Sequence, residues 1–546
     1  MERSDYTQKM LSIINSDEFS EIHRDPTPSI QTKSNGFISM LLTHKVITRE
    51  KAKSMKVYNS TAPKIYGNPK IHKDGVPLRP IVSCIQSPTR HLSEFIVDIL
   101  KSAYDKGNEY YIKDSFDFAQ QMNNLAIPPN QVILSLDVVN LYGNIHNELV
   151  KRVINEKWNI IQQHTTMPKS LFMEILNFLL ENSYFSFQNK FYKQIFGSAM
   201  GSKSSPILTQ YVMDFLLDNT IPKLPWPIFL IKKYVDDLFI ISPIEGVEDL
   251  LPIFNSFDKY TQFTMEKEDV DFSVPFLDTR VHRSNNIIKL DWFRKDTNSD
   301  RFVHYLSDHS IQMKINIITE MKNRILRLCH PEFIQKNIAK LLKIFIDNGY
   351  PVGMVKKLLY ESVPVQRDDN IPLRNGDGDE VTKFGSILNI KNLTGKIKNC
   401  FKSENMKIAT YNSKKVFSLF TKLKDPTPKQ FNSNVIYRIN CSDCQATYVG
   451  QTSQWLKNRI SIHKSDIKKQ NVRCALTKHS VDLKHQIDLD SVEIIDKTSS
   501  YNKRLIMEMI HIQREHNSIN KKSDVQNLSN IYTFLLSIAK KKNQQN

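Results

Sequence analysis

Residues 231–241 read Ile-Lys-Lys-Tyr-Val-Asp-Asp-Leu-Phe-Ile-Ile, so that two adjacent aspartates interrupt an otherwise apolar, strand-like run. Each carboxylate that is withdrawn from water costs several kcal/mol unless a partner compensates its charge. The usual compensation is a divalent cation, for which carboxylate oxygens are natural ligands. Because side chains alternate along a strand, Asp236 and Asp237 can face one ion only from a tight turn or a position beside one. The stretch therefore predicts a strand–turn–strand hairpin that presents two carboxylates to a metal site.

A third carboxylate, Asp137, directly follows a second run of buried-strand composition, Val132–Leu136. On its own, an aspartate at a strand end is more often a turn or cap residue, and an isolated Asp-Asp pair is as readily an exposed turn. Together, the three carboxylates predict a site for Mg²⁺ or Mn²⁺ ions about 3.5–4 Å apart. Such an ion pair activates a primer 3′-hydroxyl and stabilises the leaving pyrophosphate, which is the chemistry of a template-directed polymerase.

The composition favours a multidomain protein that binds nucleic acid. The 546 residues predict about three to four domains, and 40% hydrophobic residues are enough for packed cores. The formal charge of +18 makes a polyanion the expected partner, with simple colloidal charge as the alternative. No apolar run approaches the ~20 residues that span a bilayer, and the first residues lack the apolar stretch of a secretory signal. Six cysteines in so long a chain do not form a disulfide framework, so we expect an intracellular protein that contacts no membrane.

Three basic residues, Lys70, Lys73 and Arg79, cluster on a proline-rich segment upstream of Asp137. A polymerase needs cations that neutralise the triphosphate, and arginine offers a bidentate fork to phosphate. The alternative is a generic basic loop.

A small-residue loop lies between the two carboxylate runs and contains Gly197, Met200 and Gly201. Such a loop lets backbone approach a nucleotide or a template closely, although a Gly/Ser loop alone is weak support.

Tyr142, five residues after Asp137, would place an aromatic wall against a ribose 2′-hydroxyl and select deoxynucleotides. A core aromatic is the alternative for Tyr142.

These motifs resemble those of reverse transcriptases, at residues 136–142 (Leu-Asp-Val-Val-Asn-Leu-Tyr), 197–202 (Gly-Ser-Ala-Met-Gly-Ser) and 234–237 (Tyr-Val-Asp-Asp). Less widespread strings resemble one lineage, the Penelope-like retroelements, at residues 66–73 (Tyr-Gly-Asn-Pro-Lys-Ile-His-Lys), 77–83 (Pro-Leu-Arg-Pro-Ile-Val-Ser), 276–278 (Phe-Leu-Asp) and 293–301 (Phe-Arg-Lys-Asp-Thr-Asn-Ser-Asp-Arg). The resemblance implies an α+β fold with the fingers, palm and thumb of a right-hand polymerase, followed by a small nuclease domain. Family members generally carry an Asp-Lys-Gly segment before the part that resembles residues 5–50. That segment is missing here, as expected of a truncated copy or an incomplete chain.

A second candidate site lies in the C-terminal part of the chain. Val435–Ile439 and Thr447–Thr452 read as two short strands, and Arg459 and His463 are four residues apart on one face of the following helix. Glu508 lies on a later helix. This set suits phosphodiester cleavage, with the glutamate holding one Mg²⁺ and the arginine stabilising the phosphorane charge.

This region resembles the GIY-YIG endonucleases. Val435-Ile436-Tyr437 stands for the first tripeptide of the motif and Tyr448-Val449-Gly450 for the second. The resemblance implies that Tyr437 and Tyr448 orient the attacking water, and Asn520 is the less certain counterpart of a late asparagine in the family. A strand position tolerates the change from glycine to Val435, so we do not expect the change to inactivate the domain.

Four further residues have the spacing of a structural zinc site. Cys441-x2-Cys444 falls between the two tyrosine strands, and His479-x5-His485 falls downstream. Two thiolates and two imidazoles match a closed tetrahedral Zn²⁺ site, and the Penelope-like endonucleases show a similar arrangement. Cys474 is a competing ligand, and a reduced CxxC with surface histidines is the alternative.

We expect an N-terminal helical segment (1–60), polymerase fingers and palm (61–305), a helical thumb (306–365), a linker and connecting region (366–433), a GIY-YIG domain (434–535) and a basic tail (536–546). Basic helices at residues 310–361 could grip a duplex by its phosphates or be an ordinary solvated face. The leading hypothesis is a nuclear protein that nicks chromosomal DNA and extends the nick with dNTPs on a template RNA, which is target-primed reverse transcription. The alternatives are a polymerase with an inactive nuclease domain and a decayed remnant that only binds nucleic acid. No pattern indicates an oligomeric state.

Overall fold

The computed structural model describes residues 1–71, 73–361, 383–390, 392–401, 406–412, 416–420 and 422–543. Its helices are α1 (Arg3–Ile14), α2 (Thr27–Thr43), α3 (Arg49–Met55), α4 (Arg90–Ala103), α5 (Ser115–Met122), α6 (Leu141–Asn144), α7 (Asn147–Glu156), α8 (Trp158–Ile161), α9 (Lys169–Glu181), α10 (Ser205–Thr220), α11 (Val247–Asn255), α12 (Ile311–Leu328), α13 (Pro331–Asp347), α14 (Val352–Lys356), α15 (Thr394–Cys400), α16 (Leu456–Lys468), α17 (Ala475–Leu483), α18 (Tyr501–Arg514) and α19 (Asn530–Asn543).

The strands are β1 (Phe19–Ile22), β2 (Lys64–Pro69), β3 (Leu78–Ser83), β4 (Gln131–Val138), β5 (Tyr184–Phe187), β6 (Lys190–Gln194), β7 (Leu230–Tyr234), β8 (Asp237–Pro243), β9 (Phe263–Lys267), β10 (Ser273–Phe276), β11 (Thr279–Ser284), β12 (Ile287–Trp292), β13 (Lys383–Leu388), β14 (Met406–Tyr411), β15 (Val435–Asn440), β16 (Thr447–Thr452) and β17 (Glu493–Lys497).

A four-stranded antiparallel sheet in the order β7-β8-β4-β9, here called the palm sheet, carries the candidate polymerase site. Its central strands β4 and β8 are mostly apolar because both of their faces are buried. Leu134 and Leu238 pack into a core with the helices on one face, whereas Ile133 and Phe239 pack into a second core on the other face. This double burial fixes the strand register, because a shift by one residue would exchange the two sets.

The five-stranded fingers sheet has the order β1-β6-β5-β2-β3. It brings together the N-terminal strand β1, the basic segment that surrounds β2 and β3, and a hairpin formed by β5 and β6. Strand β1 lies inside the stretch that the sequence pattern assigned to helices alone. It forms because its four residues pair with β6 about 170 residues away, a nonlocal contact that local periodicity does not encode.

The hairpins β10–β11–β12 and the helices α12 and α13 cover the second face of the palm sheet. Strands β10 and β11 are joined by a tight turn in which Leu277 has φ +54°. Lys314 and Lys322 are buried and donate to the carbonyls of Ser307 and Leu358, so they do not lie on the solvated face considered for this region. The exposed cations of α13 are Lys336, Lys340 and Lys343.

The C-terminal unit is a three-stranded sheet in the order β16-β15-β17, packed by α16, α17 and α18. The first part of the expected linker and connecting region, residues 366–382, and the last three residues of the basic tail lie outside the described residues. No described helix combines the length and the hydropathy that a membrane-spanning segment requires.

Candidate active sites

The Tyr234–Asp237 stretch forms the expected two-residue hairpin, in which the backbones of Tyr234 and Asp237 pair and Val235 and Asp236 make the turn. Tight hairpins of this kind need a positive φ at the first turn residue. Val235 adopts φ +58°, which is strained for a β-branched side chain. The strain places the Asp236 carboxylate at the tip of the hairpin, beside the strand that starts at Asp237.

Asp137 of β4 is the direct register partner of Asp237 of β8, so the structure brings the three predicted carboxylates together. Burial, and then the charges of Asp236 and Asp137, raise the pKa of Asp237 to about 7. Burial also raises the pKa of Asp236 and of Asp137, and the charge of Asp137 adds to the effect on Asp236. The exposed Asp137 and the partly buried Asp236 and Asp237 repel one another and form a donor set that fits divalent cations.

The predicted basic cluster lies next to these carboxylates. Burial, followed by the positive charges of Arg79 and Lys73, lowers the pKa of Lys70, which places the three cations close together. The charge of Lys73 acts on Asp137 and that of Arg79 acts on Asp236, in both cases lowering the carboxyl pKa against the effect of burial. The cluster therefore borders the carboxylates from the side of β3.

Sequence reasoning assigned no role to Lys295, an exposed residue in the loop after β12. Its charge lowers the pKa of both Asp137 and Asp237, against the larger effect of burial. The string at residues 293–301 that resembles Penelope-like elements contained this lysine, but nothing in the spacing indicated that the loop returns to the carboxylates.

The small-residue loop packs between the palm and the fingers sheet. The Met200 carbonyl accepts the Val82 amide at 2.7 Å, and the Tyr142 carbonyl accepts the Ser198 amide at 2.6 Å. A Cβ on Gly201, which has φ +106°, would lie 2.3 Å from the Val82 carbonyl oxygen. A Cβ on Gly197, at φ +74°, would likewise lie 2.3 Å from a backbone carbonyl oxygen, that of Gly143. Only glycine permits both contacts.

Tyr142 is half-buried beside the carboxylates. Burial and then the charge of Asp236 raise the pKa of its phenol. The side chain therefore lies near the candidate metal site.

A buried ion pair fixes the β7–β8 hairpin to the neighbouring helix α10. The Lys233 side chain is fully buried, and its Nζ lies 2.5 Å from Oδ1 of Asp214 on α10. Nζ also donates to Oε1 of Gln210 at 2.8 Å and to the Tyr104 hydroxyl at 3.2 Å. The strand that enters the hairpin is thereby tied to the helix that follows the small-residue loop. The sequence showed this lysine only as an interruption of an apolar run.

In the C-terminal unit, the Tyr437 hydroxyl joins the two predicted helix residues. Arg459 Nε donates to the Tyr437 oxygen at 3.1 Å, and the same hydroxyl is hydrogen-bonded to His463 Nε2 at 2.8 Å. Burial, and then the charge of Arg459, lower the pKa of His463 to about 4, so the imidazole is neutral at pH 7. His463 Nδ1 faces Cys474 Sγ at 3.8 Å. These contacts, from Arg459 through Tyr437 and His463 to Cys474, are here called the Tyr437 relay.

Glu508 lies close to this relay. Burial is the main cause that raises its pKa to about 7, and the charge of Arg459 lowers it by less. Tyr448 is buried, with a raised phenol pKa, and its ring centroid lies 5.8 Å from that of His463. Asn520 instead binds both backbone groups of Val449, so it fixes strand β16.

The structure also brings together Cys441, Cys444, His479 and His485, whose ligand atoms all lie within 4.8 Å of one another. Cys441 Sγ is 3.7 Å from His485 Nδ1, and Cys444 Sγ is 3.5 Å from His479 Nε2. These separations fit donors arranged tetrahedrally at the 2.0–2.3 Å typical of zinc bonds. Cys474 does not belong to this group.

Comparisons with known families match three regions. The reverse transcriptase (RNA-dependent DNA polymerase) family model matches residues 71–277, and the GIY-YIG catalytic domain model matches residues 433–528. The animal helix-turn-helix domain model matches residues 301–359, which contain α12 and α13. No curated protein sequence matches the chain.

Solved polymerase structures show a distant likeness. A telomerase from Candida albicans, in complex with a telomeric RNA fragment, is 12% identical over 63% of this chain and 66% of its own, with a TM-score of 0.38. The RNA-dependent RNA polymerase 3Dpol of a sicinivirus is 11% identical over 63% of this chain and 74% of its own, with a TM-score of 0.37. The chain spans between 54% and 66% of the length of the telomerase chains that it matches. These values support no argument about activity.

The matched regions coincide with the two candidate sites. The carboxylate hairpin and Asp137 lie inside residues 71–277, and the Tyr437 relay with Glu508 lies inside residues 433–528. The chain therefore joins a reverse transcriptase domain of the right-hand, α+β type to a C-terminal GIY-YIG domain, the domain order of the Penelope-like retroelement proteins that its motifs resemble.

Proposed function

We propose that the protein is the RNA-directed DNA polymerase and DNA endonuclease of a Penelope-like retroelement and performs target-primed reverse transcription. The GIY-YIG domain nicks DNA, and the reverse transcriptase domain extends the exposed 3′-hydroxyl on an RNA template. The observation that carries the proposal is the convergence of Asp137, Asp236 and Asp237 at one end of the palm sheet. Because the target is chromosomal DNA, we place this activity in the nucleus.

The polymerase step assigns a role to each group around the carboxylates. Asp137, Asp236 and Asp237 would hold two Mg²⁺ or Mn²⁺ ions, which supply charge neutralisation and an activated 3′-hydroxyl when bound. Lys70, Lys73 and Arg79, with their mutually adjacent positive charges, bind the triphosphate. Tyr142 lines the sugar and excludes ribonucleotides, and the backbone of the loop with Gly197, Met200 and Gly201 supports the base pair.

The nuclease step uses the second site. Glu508 would hold one Mg²⁺, and Arg459 neutralises the phosphorane. The neutral His463 and Arg459 both hydrogen-bond to the Tyr437 hydroxyl, so this tyrosine is held in place to orient the attacking water. Cys441, Cys444, His479 and His485 would hold a structural Zn²⁺, since four protein donors leave no open position for a substrate.

Primer extension on an RNA template tests the polymerase. Asp236→Asn, which keeps the shape and removes the charge, should reduce incorporation of dNTPs by at least about 10³-fold, the scale on which removal of catalytic electrostatics acts. Asp249→Asn, an exposed residue on α11, is the matched control and should extend as the wild type does.

Nicking of supercoiled plasmid tests the nuclease in the same preparation. Glu508→Gln should stop nicking and leave extension intact. The control Asp482→Asn, at an exposed position on α17, should nick and extend as the wild type does. A protein that binds nucleic acid but performs neither reaction with Mg²⁺ or Mn²⁺ would contradict the proposal and identify a decayed remnant.

A further inference from the structure

A short segment at residues 424–431, here called the docking segment, joins the GIY-YIG domain to the fingers sheet. At its start, Lys424 Nζ donates to the Ser83 hydroxyl at 3.0 Å. The same ammonium lies 4.8 Å from the centroid of the Tyr66 ring, within the range of a cation–π contact. Both partners belong to the last two strands of the fingers sheet, β2 and β3.

Asp425 makes two further contacts with the same sheet. Its carboxylate accepts the Gln188 amide at 2.7 Å, at the tip of the β5–β6 hairpin. Gln188 and Asn189 both have a positive φ, as in the tightest two-residue hairpins, so this amide points away from its own strands. The Asp425 carbonyl accepts Nζ of Lys64 at 2.7 Å. Charged groups thus anchor the segment to two strands, β2 and β3, and to the turn between β5 and β6.

The other end of the docking segment is fastened to the GIY-YIG domain. Phe431 packs edge-on against Trp455 with ring centroids 5.8 Å apart, and Lys457 Nζ lies 4.3 Å from the centroid of the Phe431 ring. The neighbouring Asn432 carbonyl accepts the Leu456 amide at 2.8 Å, at the start of α16. This is the helix that carries Arg459 and His463. The docking segment is therefore joined to the first residue of the helix of the nuclease site, less than one turn before Arg459.

Two direct features reinforce the junction. Asn59 Nδ2 donates to the Ser453 carbonyl at 2.8 Å, which links the two domains without the docking segment. A cavity of about 260 Å³ lies between the domains, with Lys64 and Phe191 of the fingers side and Trp455 of the nuclease side among its lining residues.

Strand β3 connects this junction with the polymerase site. Ser83 at its end receives Lys424, its neighbour Val82 donates to the Met200 carbonyl of the small-residue loop, and Arg79 of the same strand lies beside Asp236. The nuclease domain is thus docked on the strand that also borders the nucleotide position. If the docking segment were a flexible hinge, the nuclease site and the polymerase site would move relative to each other. A docked segment instead holds the two sites in one orientation.

We infer that the docking segment, through Lys424 and Asp425, holds the nuclease and the polymerase site in one orientation, so that DNA nicked by one is extended by the other before it is released. This inference rests on the proposed function and adds to it the element that couples the two reactions. The side-chain contacts of Lys424 and Asp425 are polar and exposed, so we expect their loss to affect the transfer of DNA and not the folding of either domain.

The test uses the full-length double variant Lys424→Ala/Asp425→Ala. Supercoiled plasmid, template RNA and labelled dNTPs are mixed with the protein, together with an excess of unlabelled primer–template that captures any polymerase released from nicked DNA. We expect labelled plasmid to drop by about tenfold, the change that about 1.4 kcal/mol of docking free energy produces. Nicking without dNTPs, and extension of plasmid nicked beforehand and assayed without the trap, should remain at the wild-type level.

Lys422→Ala is the matched control, because Lys422 is an exposed lysine two residues from Lys424. Small-angle scattering of the free proteins supplies a readout that does not depend on activity, since loss of docking should increase the maximum dimension of the double variant only.

Labelled plasmid at the wild-type level in the double variant, or an unchanged scattering profile, would overturn the inference. A wild-type protein that nicks nothing or extends nothing would instead contradict the proposed function. The scattering profiles would still decide whether these residues dock the two domains.

Discussion

Asp137 and Asp237 lie directly opposite each other on the antiparallel strands β4 and β8. Directly opposed side chains of two such strands project from the same face with Cβ atoms about 4.5–5.5 Å apart, and like charges in such a pair destabilise the sheet. The palm sheet tolerates this pair, together with Asp236, at a partly buried position. The fold thus carries an electrostatic penalty that a bound cation would relieve.

The first prediction concerns that penalty. A carboxyl whose pKa rises on folding favours the folded state below its unfolded pKa, and this stability is lost as the pH rises through its folded pKa, here about 7. In EDTA at pH 8, Asp237→Asn should therefore increase the free energy of unfolding, by up to about 4 kcal/mol at 1.36 kcal/mol per pKa unit. Thermal unfolding should also show that Mg²⁺ stabilises the wild type more than the variant. Equal Mg²⁺ responses would argue against a metal site here, and Asp249→Asn is the control for an exposed aspartate.

The second prediction concerns the buried pair of Lys233 and Asp214. Lys233→Met leaves the aspartate buried without its cation and should destabilise the protein by about 3–5 kcal/mol. The double variant Lys233→Met/Asp214→Leu should recover much of that loss, because no isolated charge remains. Urea unfolding of both single variants and the double variant measures the coupling. Additive effects would show that the pair does not act as a unit.

A third prediction concerns the choice of sugar. Tyr142→Ala removes the aromatic wall beside Asp236 and should reduce discrimination against ribonucleotides by about 10- to 100-fold, the range that one close steric contact provides. The ratio of kcat/KM for dNTP and rNTP on one primer–template measures this change. Tyr142→Phe keeps the ring and should discriminate as the wild type does. If both variants discriminate equally well, Tyr142 does not line the sugar.

The fourth prediction separates the cysteines. Metal analysis of purified protein should find one Zn²⁺ per chain in the wild type and in Cys474→Ser, whose sulfur faces His463 instead. Cys444→Ser should lose the zinc, because Cys444 lies 3.5 Å from His479 in the four-residue cluster. Loss of zinc in Cys474→Ser with retention in Cys444→Ser would reverse this assignment.

The fifth prediction follows from the buried imidazole. Because burial lowers the pKa of His463 to about 4, the unfolded state binds a proton more readily between pH 6.5 and pH 4. The wild type should lose up to about 3 kcal/mol of stability through this histidine as the pH falls across that window, at 1.36 kcal/mol per pKa unit. His463→Gln removes the titration and should flatten this part of the pH profile, as measured by urea unfolding at each pH. An unchanged profile would place the acid sensitivity elsewhere.

The sequence predicted the elements whose signals are local. The catalytic hairpin, the Asp137 strand and the tyrosine strands of the nuclease are short apolar runs that end at polar residues, and each appears at its expected place. The cysteines and histidines of the cluster were recognised from their spacing and meet as expected.

Features that depend on distant parts of the chain were missed. Lys233 finds its partner Asp214 on a helix of the preceding segment, and no spacing rule connects them. Lys295 reaches the carboxylates only because the β10–β12 hairpins pack against the palm sheet. Strand β1 exists because β6 pairs with it, so four residues without a strand pattern of their own become extended.

The double burial of the palm sheet limits how the polymerase can be divided into smaller pieces. Ile133 and Phe239 share their core with residues of α12 and α13, including Ile318 and Leu341. A recombinant fragment that stopped after β12 would keep the β10–β12 hairpins on this face but expose the part of the core that α12 and α13 cover, and would be prone to self-association. The smallest autonomous polymerase therefore has to extend through α13, although Asp137, Asp236 and Asp237 all lie far upstream of that helix.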